Sequence, residues 1–246
     1  MQRAIITGAS SGIGAALARE LTRRGWAVTL LARRADLLAE LAKELPNATA
    51  IECDVTSNDS VHEAVRKSGP FDLAIANAGI GMPSHATKFV IADAEQMVRV
   101  NILGMMYLFD AVIPAMVERR SGRFAGVASI AGLRGLPATS VYSCTKAAMQ
   151  AFLEASRVDL KPYGVGVTIV NPGFIETPMT SKNRFRMPFL MKVERAAAII
   201  ADGIESGKRV VEFPLPMSLL MRTVRLIPDA IFDLAGGPYG RRKVEP

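Results

Sequence analysis

Tyr142 and Lys146 stand four residues apart in Tyr142-Ser143-Cys144-Thr145-Lys146, at the start of an amphipathic run. On a helix that spacing sets both side chains on one face. A free tyrosine titrates near pH ~10, so at neutral pH only about one in a thousand is ionised. A neighbouring ammonium favours the phenolate and lowers that value. A shift of two or three units needs roughly 3–4 kcal/mol, which a lysine and a second cation in a water-poor cleft can supply. Such a phenol suits proton exchange with a carbonyl or alcohol, worth about 10²–10⁴ in rate. Ser129 precedes the pair in Ala128-Ser129-Ile130-Ala131-Gly132, at the end of a predicted strand. Its hydroxyl can donate to an oxygen that gains charge during reaction.

A second constellation lies at the N-terminus. Thr7-Gly8-Ala9-Ser10-Ser11-Gly12-Ile13-Gly14 joins the first predicted strand to the first predicted helix. Glycines there permit positive φ and let a pyrophosphate approach the backbone, while the helix starting near Ile13 offers free N–H groups to an anion. The spacing is G-x-x-x-G-x-G rather than the commoner G-x-G-x-x-G. Where an NAD site usually carries an acid for the ribose 2′-hydroxyl, the second strand ends in Leu31-Ala32-Arg33-Arg34. A missing acid with an added cation favours NADP(H), with Arg33 pairing with the 2′-phosphate. The third strand ends in Cys53-Asp54-Val55, where the Asp54 carboxylate can accept an N–H from adenine.

The elements that must position these residues alternate. Apolar, β-branched runs predict strands at 4–7, 27–31, 49–53, 73–76, 123–128, 166–170 and 210–213. Amphipathic runs predict helices at 13–24, 35–44, 60–67, 94–118, 142–160 and 193–206. Nearly continuous apolar strands between helices imply an α/β chain with a parallel sheet buried on both faces. No Pro/Gly/Ser-rich linker and no repeat divides it, so residues 1–246 read as one domain.

Composition narrows the function classes. Half of the 246 residues are hydrophobic and 22% are charged, which excludes a disordered chain. Two cysteines are too few for a secreted disulfide framework or a structural zinc site, so a reducing, cytoplasmic setting is expected. The formal net charge of +7 is dispersed, the densest basic stretches being Arg33-Arg34 and Arg241-Arg242-Lys243. Nucleic acid is therefore not an expected partner. The N-terminus runs straight into the glycine turn, leaving no secretory apolar core, and no 18 consecutive apolar residues occur. His62 and His85 lack partners at ligand spacing, so no metal is expected. Cys53 and Cys144 read as buried apolar filler. Asp110 and Asp159, in helices among apolar residues, read as pairing or subunit contacts.

Taken together these motifs resemble the short-chain dehydrogenases/reductases of about 250 residues, along the chain to about Phe213. Asn77-Ala78-Gly79 matches the family's turn after the fourth strand, and Asn101 in Val100-Asn101-Ile102-Leu103-Gly104 its active-site asparagine. Pro172-Gly173, Ile175 and Thr177 match the segment that holds the nicotinamide carboxamide. Ala76 departs from the pattern, many relatives carrying an asparagine there. The resemblance implies a doubly wound Rossmann-type fold with seven parallel strands in order 3-2-1-4-5-6-7. It implies reversible hydride transfer between NADP(H), preferred over NAD(H), and a ketone, aldehyde or secondary alcohol. Tyr142 would be the acid/base, Ser129 would hold the substrate oxygen, and Lys146 would bind the nicotinamide ribose and depress the tyrosine. Asn101 would hold a water linking Lys146 to solvent. The Tyr142–Lys146 gap resembles the carbonyl reductases rather than the enoyl reductases. Family members often form homodimers or homotetramers. A nucleotide-sensing regulatory or scaffold protein that keeps the fold without turnover is the alternative.

Two segments are less determined. Residues 174–191 cover the substrate in this family, and here carry Phe174, Met179, Phe185, Met187, Phe189, Leu190 and Met191. Such apolar density in a loop points to a lipophilic or bulky carbonyl substrate, or to packing against the body or another subunit. Residues 214–246 extend past the end of many relatives. Their apolar helix, with Arg222 and Arg225 on one side, fits a pocket wall or subunit contact, ordinary core, or, less favoured, a membrane-surface anchor.

Overall fold

The computed structural model describes residues 1–183 and 186–242. Seven strands, β1 (Arg3–Thr7), β2 (Ala27–Ala32), β3 (Ala48–Glu52), β4 (Leu73–Ala76), β5 (Gly122–Val127), β6 (Val165–Pro172) and β7 (Val210–Phe213), form one sheet. Their order is β3-β2-β1-β4-β5-β6-β7, with every pairing parallel. The apolar strand runs follow from burial on both sides: Ala4 and Ile6 face one core and Ile5 the other. The first core is closed by α1 (Gly12–Arg23), α2 (Ala35–Glu44) and α7 (Val193–Glu205). The second is closed by α3 (Asn58–Ser68), α5 (Gly104–Glu118) and α6 (Ser140–Leu160). The order in which strands are added across the sheet reverses between β1 and β4, and the crevice beyond those strand ends is where open α/β sheets bind ligands.

The run predicted as one helix over 94–118 is three pieces: α4 (Ile91–Met97), a π-helical segment Val98–Leu103, and α5. By length and composition Ile91–Glu118 could cross a membrane. Here Leu108, Val112 and Met116 are buried in the second core, which accounts for its apolar character.

Beyond β7 come α8 (Leu215–Leu226) and α9 (Asp229–Arg242). The inner face of α8 sets Met217 and Met221 against Ile130, Leu133, Leu136 and Phe174. Arg134 ties down the start of α9, bonding Asp229 at 2.6 Å and the Arg225 carbonyl at 3.2 Å, and stacking 4.4 Å from the centroid of the Phe232 ring. Of the basic stretch Arg241-Arg242-Lys243, the lysine lies outside the described residues.

Candidate active site

The glycine turn is shaped by backbone crowding. Gly8 has φ +67°, and a Cβ there would lie 2.8 Å from Ala78 Cα. At Gly14 a Cβ would come within 2.4 Å of the Gly8 carbonyl oxygen and 2.5 Å of Asn77 Nδ2, so α1 can rest on the turn only through glycine. Asn77 donates from Nδ2 to the carbonyls of Thr7 (3.0 Å) and Gly8 (3.3 Å). Thr7 Oγ1 accepts from the Asn77 and Ala78 amides, both at 3.1 Å. These bonds clamp the carboxyl ends of β1 and β4 together.

Ser11 is the N-cap of α1, yet its side chain caps no amide and the first turn carries no acid. The positive end of this helix thus faces the crevice without a carboxylate in its own first turn. Arg34 lies over the same turn, bonding Ser10 Oγ at 2.7 Å and Ser11 Oγ at 2.8 Å. Arg33 is exposed. The sequence alone points to Arg33 as the cation; its neighbour is the one fixed on the turn. Asp54 turns one carboxylate oxygen back to the Thr56 amide and hydroxyl, both at 2.9 Å. Val55 is buried against Gly104. Across the crevice, Thr177 stands 3.4 Å from where a Gly12 Cβ would be, so the segment after β6 reaches the glycine turn.

Ser129, Tyr142, Lys146 and Asn101 converge. Ser129 lies beside the half-buried Tyr142 phenol; its hydroxyl donates to the Pro172 carbonyl at 3.4 Å and accepts from the Ala131 amide at 3.1 Å. Lys146 is buried, donates to the Val127 carbonyl at 2.9 Å, and holds Nζ 5.7 Å from the Tyr142 ring centroid. Burial lowers its pKa to about 8. Burial also pushes the Tyr142 phenol above its ordinary value, with the neighbouring Ser129 hydroxyl pulling the other way. Within the protein alone the phenol is thus raised rather than lowered as expected, burial being the largest cause.

Asn101 sits in the π-helical segment and is fully buried. Its side chain accepts from the Ile80 amide at 2.8 Å and donates to the Ile80 carbonyl at 2.9 Å and to Thr145 Oγ1 at 3.0 Å. Asn101 thus fixes the turn after β4 to α6. Gly79 lies between this amide and the lysine: a Cβ there would be 3.4 Å from Asn101 Oδ1 and 3.5 Å from Lys146 Nζ.

Other residues give no sequence signal. Gln150 donates to the Ser129 carbonyl (2.7 Å) and to Asn171 Oδ1 (3.0 Å). Asn171 donates in turn to Glu212 (3.0 Å), whose other oxygen accepts from Arg222 on α8 (2.9 Å). This polar chain links the serine loop to the C-terminal helix. Of the lid side chains, Ile175 is buried and Met191 packs on the first core, Phe174 meets α8, and Met179, Phe189 and Leu190 are exposed. Phe185 lies outside the described residues. Cys53 is buried, but Cys144 is exposed rather than filler. It lies on the side of α6 turned from the sheet and lines a cavity of about 410 Å³ beneath Phe232. His62 bonds Asp110 at 2.9 Å, which gives that aspartate its partner.

The sequence model of the short chain dehydrogenases matches residues 2–187. The chain belongs to that family. An uncharacterized oxidoreductase of Myxococcus xanthus is 38% identical over 240 residues, covering 94% of this chain and 95% of the relative. The alcohol dehydrogenase of the archaeon Thermococcus sibiricus, solved with 5-hydroxy-NADP, is 28% identical with a TM-score of 0.79, covering 93% and 99% of the two chains. A short chain dehydrogenase/reductase of Burkholderia phymatum, solved with NAD, shares the fold at a TM-score of 0.84 and 20% identity, over 90% and 92%. This short-chain dehydrogenase is accordingly an oxidoreductase acting on CH–OH donors, and its seven-stranded Rossmann-type sheet is the one its family resemblance implied.

Proposed function

We propose that this chain interconverts a ketone or aldehyde and its alcohol with NADP(H), acting on a lipophilic or bulky compound. The observation that carries the reading is the convergence of Ser129 and the buried Lys146 on Tyr142. The glycine cradle and the uncapped helix start fit a dinucleotide, with Gly8, Ser10, Ser11, Gly12, Ile13 and Gly14 at its pyrophosphate. Asp54 and Val55 would flank the adenine, Asn77, Ala78 and Gly79 the adjoining ribose, and Pro172, Gly173, Ile175 and Thr177 the carboxamide. Arg33 and Arg34 would pair with a 2′-phosphate, Arg34 from a position already fixed by Ser10 and Ser11.

When bound, the nicotinamide exchanges hydride with the carbonyl carbon. Tyr142, its proton retained because burial raises its pKa, donates that proton to the substrate oxygen. Ser129 holds the same oxygen by hydrogen bond. Lys146 supplies positive charge beside the phenol, and Asn101 holds the turn that shapes this end of the cleft. The apolar wall of Ile130, Leu133, Leu136, Phe174, Met217 and Met221 next to Ser129 supports an apolar substrate. We read the working form as a cytoplasmic homodimer or homotetramer.

Purified protein screened against ketones and alcohols, followed by absorbance of the reduced cofactor, tests the activity. Tyr142→Phe should lower turnover by about 10³-fold with cofactor affinity nearly unchanged. Binding of NADPH without turnover of any compound would instead mark a nucleotide sensor. Arg34→Ala should raise the KM for NADPH by about tenfold or more and leave that for NADH nearly fixed, with Arg33→Ala a smaller effect. Equal losses for both cofactors would refute the NADP(H) preference.

A further inference from the structure

Thr145 lies inside α6, on the face that carries Tyr142 and Lys146. The three residues follow the i, i+3, i+4 spacing that sets side chains next to one another on a helix. No part of Thr145 reaches solvent, and Met149, one turn further on, is equally buried in the second core. Packing alone would be met by valine, which has nearly the same shape, and threonine gains nothing as a helix former. The hydroxyl needs a reason of its own.

Its bonds supply one. Thr145 Oγ1 donates to the Tyr142 carbonyl at 2.8 Å and accepts from Asn101 Nδ2 at 3.0 Å. A carbonyl can only accept, so the one hydroxyl proton is committed to Tyr142 and the oxygen is left to face the Asn101 amide. The Tyr142 carbonyl is also the acceptor that the α-helical repeat assigns to the Lys146 amide. The hydroxyl therefore sits on the peptide group that spaces the phenol from the ammonium. On its other side, Asn101 has two further bonds, both to Ile80: Oδ1 accepts from the Ile80 amide at 2.8 Å and Nδ2 donates to the Ile80 carbonyl at 2.9 Å. Among the described residues, Thr145 is thus the only hydrogen-bond partner that the Asn101 side chain has on α6. Both residues are fully buried, so bulk water cannot stand in for a lost hydroxyl.

We propose that Thr145 is a positioning residue for the reaction. Its hydroxyl ties the first turn of α6 to Asn101 and so holds the Tyr142 phenol in place against the π-helical segment and the turn that carries Gly79 and Ile80. The inference rests on the reading of Tyr142 as the acid/base, and one arm of its test needs no turnover.

Thr145→Val removes both bonds and keeps the shape, whereas Thr145→Ser keeps the hydroxyl. Turnover is followed with the alcohol or ketone of the screening panel that the parent converts fastest. Backbone amide hydrogen exchange is followed by NMR on the full chain without cofactor. In Thr145→Val, kcat should fall at least about tenfold well below the unfolding range, and the KM for NADPH should stay within about twofold. The Ile80 amide should exchange at least about tenfold faster, while those of Ile5 and Val170, in the sheet, keep their rates. Thr145→Ser should hold kcat within about threefold of the parent and leave Ile80 slow. An unchanged kcat in the valine variant would make Thr145 a bond for stability alone and overturn the proposal. Equal losses in the serine variant overturn it too, because the methyl and not the hydroxyl would then matter. If the parent converts no compound of the panel, the reading of Tyr142 fails. Faster Ile80 exchange in the valine variant then still upholds the tie to Asn101, and unchanged exchange overturns it. Thr145→Ala, read in the same way, takes the place of the valine variant if that one does not fold.

Discussion

The wall of the cleft built by β1, β2 and β4 is held by backbone contacts, whereas the opposite wall, built by residues 174–183, 186–191 and α8, is held by flexible apolar side chains. On the first, Gly8, Gly14 and Asn77 leave no space for an added carbon. On the second, Met217, Met221 and Phe174 form the contact, and several neighbours remain exposed. Backbone approach is intolerant of substitution, while methionine and leucine surfaces repack at modest cost. The rigid wall suits a ligand of constant shape such as a dinucleotide, and the soft wall suits substrates that differ between relatives. The match to the family model, over residues 2–187, stops short of α8.

Gly14→Ala gives that contrast its largest expected effect. The new methyl would lie 2.4 Å from the Gly8 carbonyl oxygen, a backbone atom that cannot yield on its own. A loss of about 2–4 kcal/mol in denaturant unfolding is expected, with weakened cofactor binding. On the opposite wall, Leu219→Ser should change stability by about 0.5 kcal/mol or less. Comparable losses for the two would end the distinction between a rigid and a soft wall.

Lys146 lies between the walls and divides function from stability. Its folded pKa of about 8 is below the ordinary 10.5, so the folded chain releases a proton that the unfolded chain keeps. Stability therefore rises as pH climbs from about 8 toward 10.5, and below that range the buried ammonium costs roughly 1–3 kcal/mol. Lys146→Met should be more stable than the parent at pH 7 by about that amount, and lower turnover at least about a hundredfold. Unfolding midpoints at neutral and alkaline pH check the sign, because the gap should narrow as pH rises. A variant less stable than the parent at pH 7 would mean that the bond to the Val127 carbonyl outweighs the burial cost.

How much is legible in the sequence follows the same division. β4, β7 and α2 have the bounds that their sequence patterns predict, with Asn77, Pro214 and Pro46 lying just beyond their carboxyl ends. Gly8, Asn77 and Tyr142 declare themselves by type and spacing within short segments. The π-helical turn around Asn101 does not, because no local pattern separates it from the helices on either side. Arg34 is visible as a cation, but which of two adjacent arginines bonds Ser10 depends on how the chain leaves β2. Cys144 reads as filler because the helical period gives a face without saying whether anything covers it. Gln150, Asn171, Glu212 and Arg222 are illegible for another reason: they come from α6, β6, β7 and α8, and meet only after the sheet has formed.

That polar chain supplies the smallest expected effect and the sharpest test of whether the two walls act separately. Glu212 is nearly buried on its side chain and accepts from Asn171 and Arg222 at once. Glu212→Gln keeps the shape but sets an amide N–H₂ against one of two donors, costing about 0.5–1.5 kcal/mol in stability. Through Asn171 and Gln150 the disturbance reaches the Ser129 carbonyl. If Glu212 is a positioning residue for Ser129, kcat should fall about two- to fivefold well below the unfolding range, while KM for the cofactor stays fixed. A purely structural role would lower the unfolding midpoint and leave kcat intact at low temperature. The split between the two parameters therefore decides whether α8 merely covers the cleft or also sets the geometry of the serine that holds the substrate.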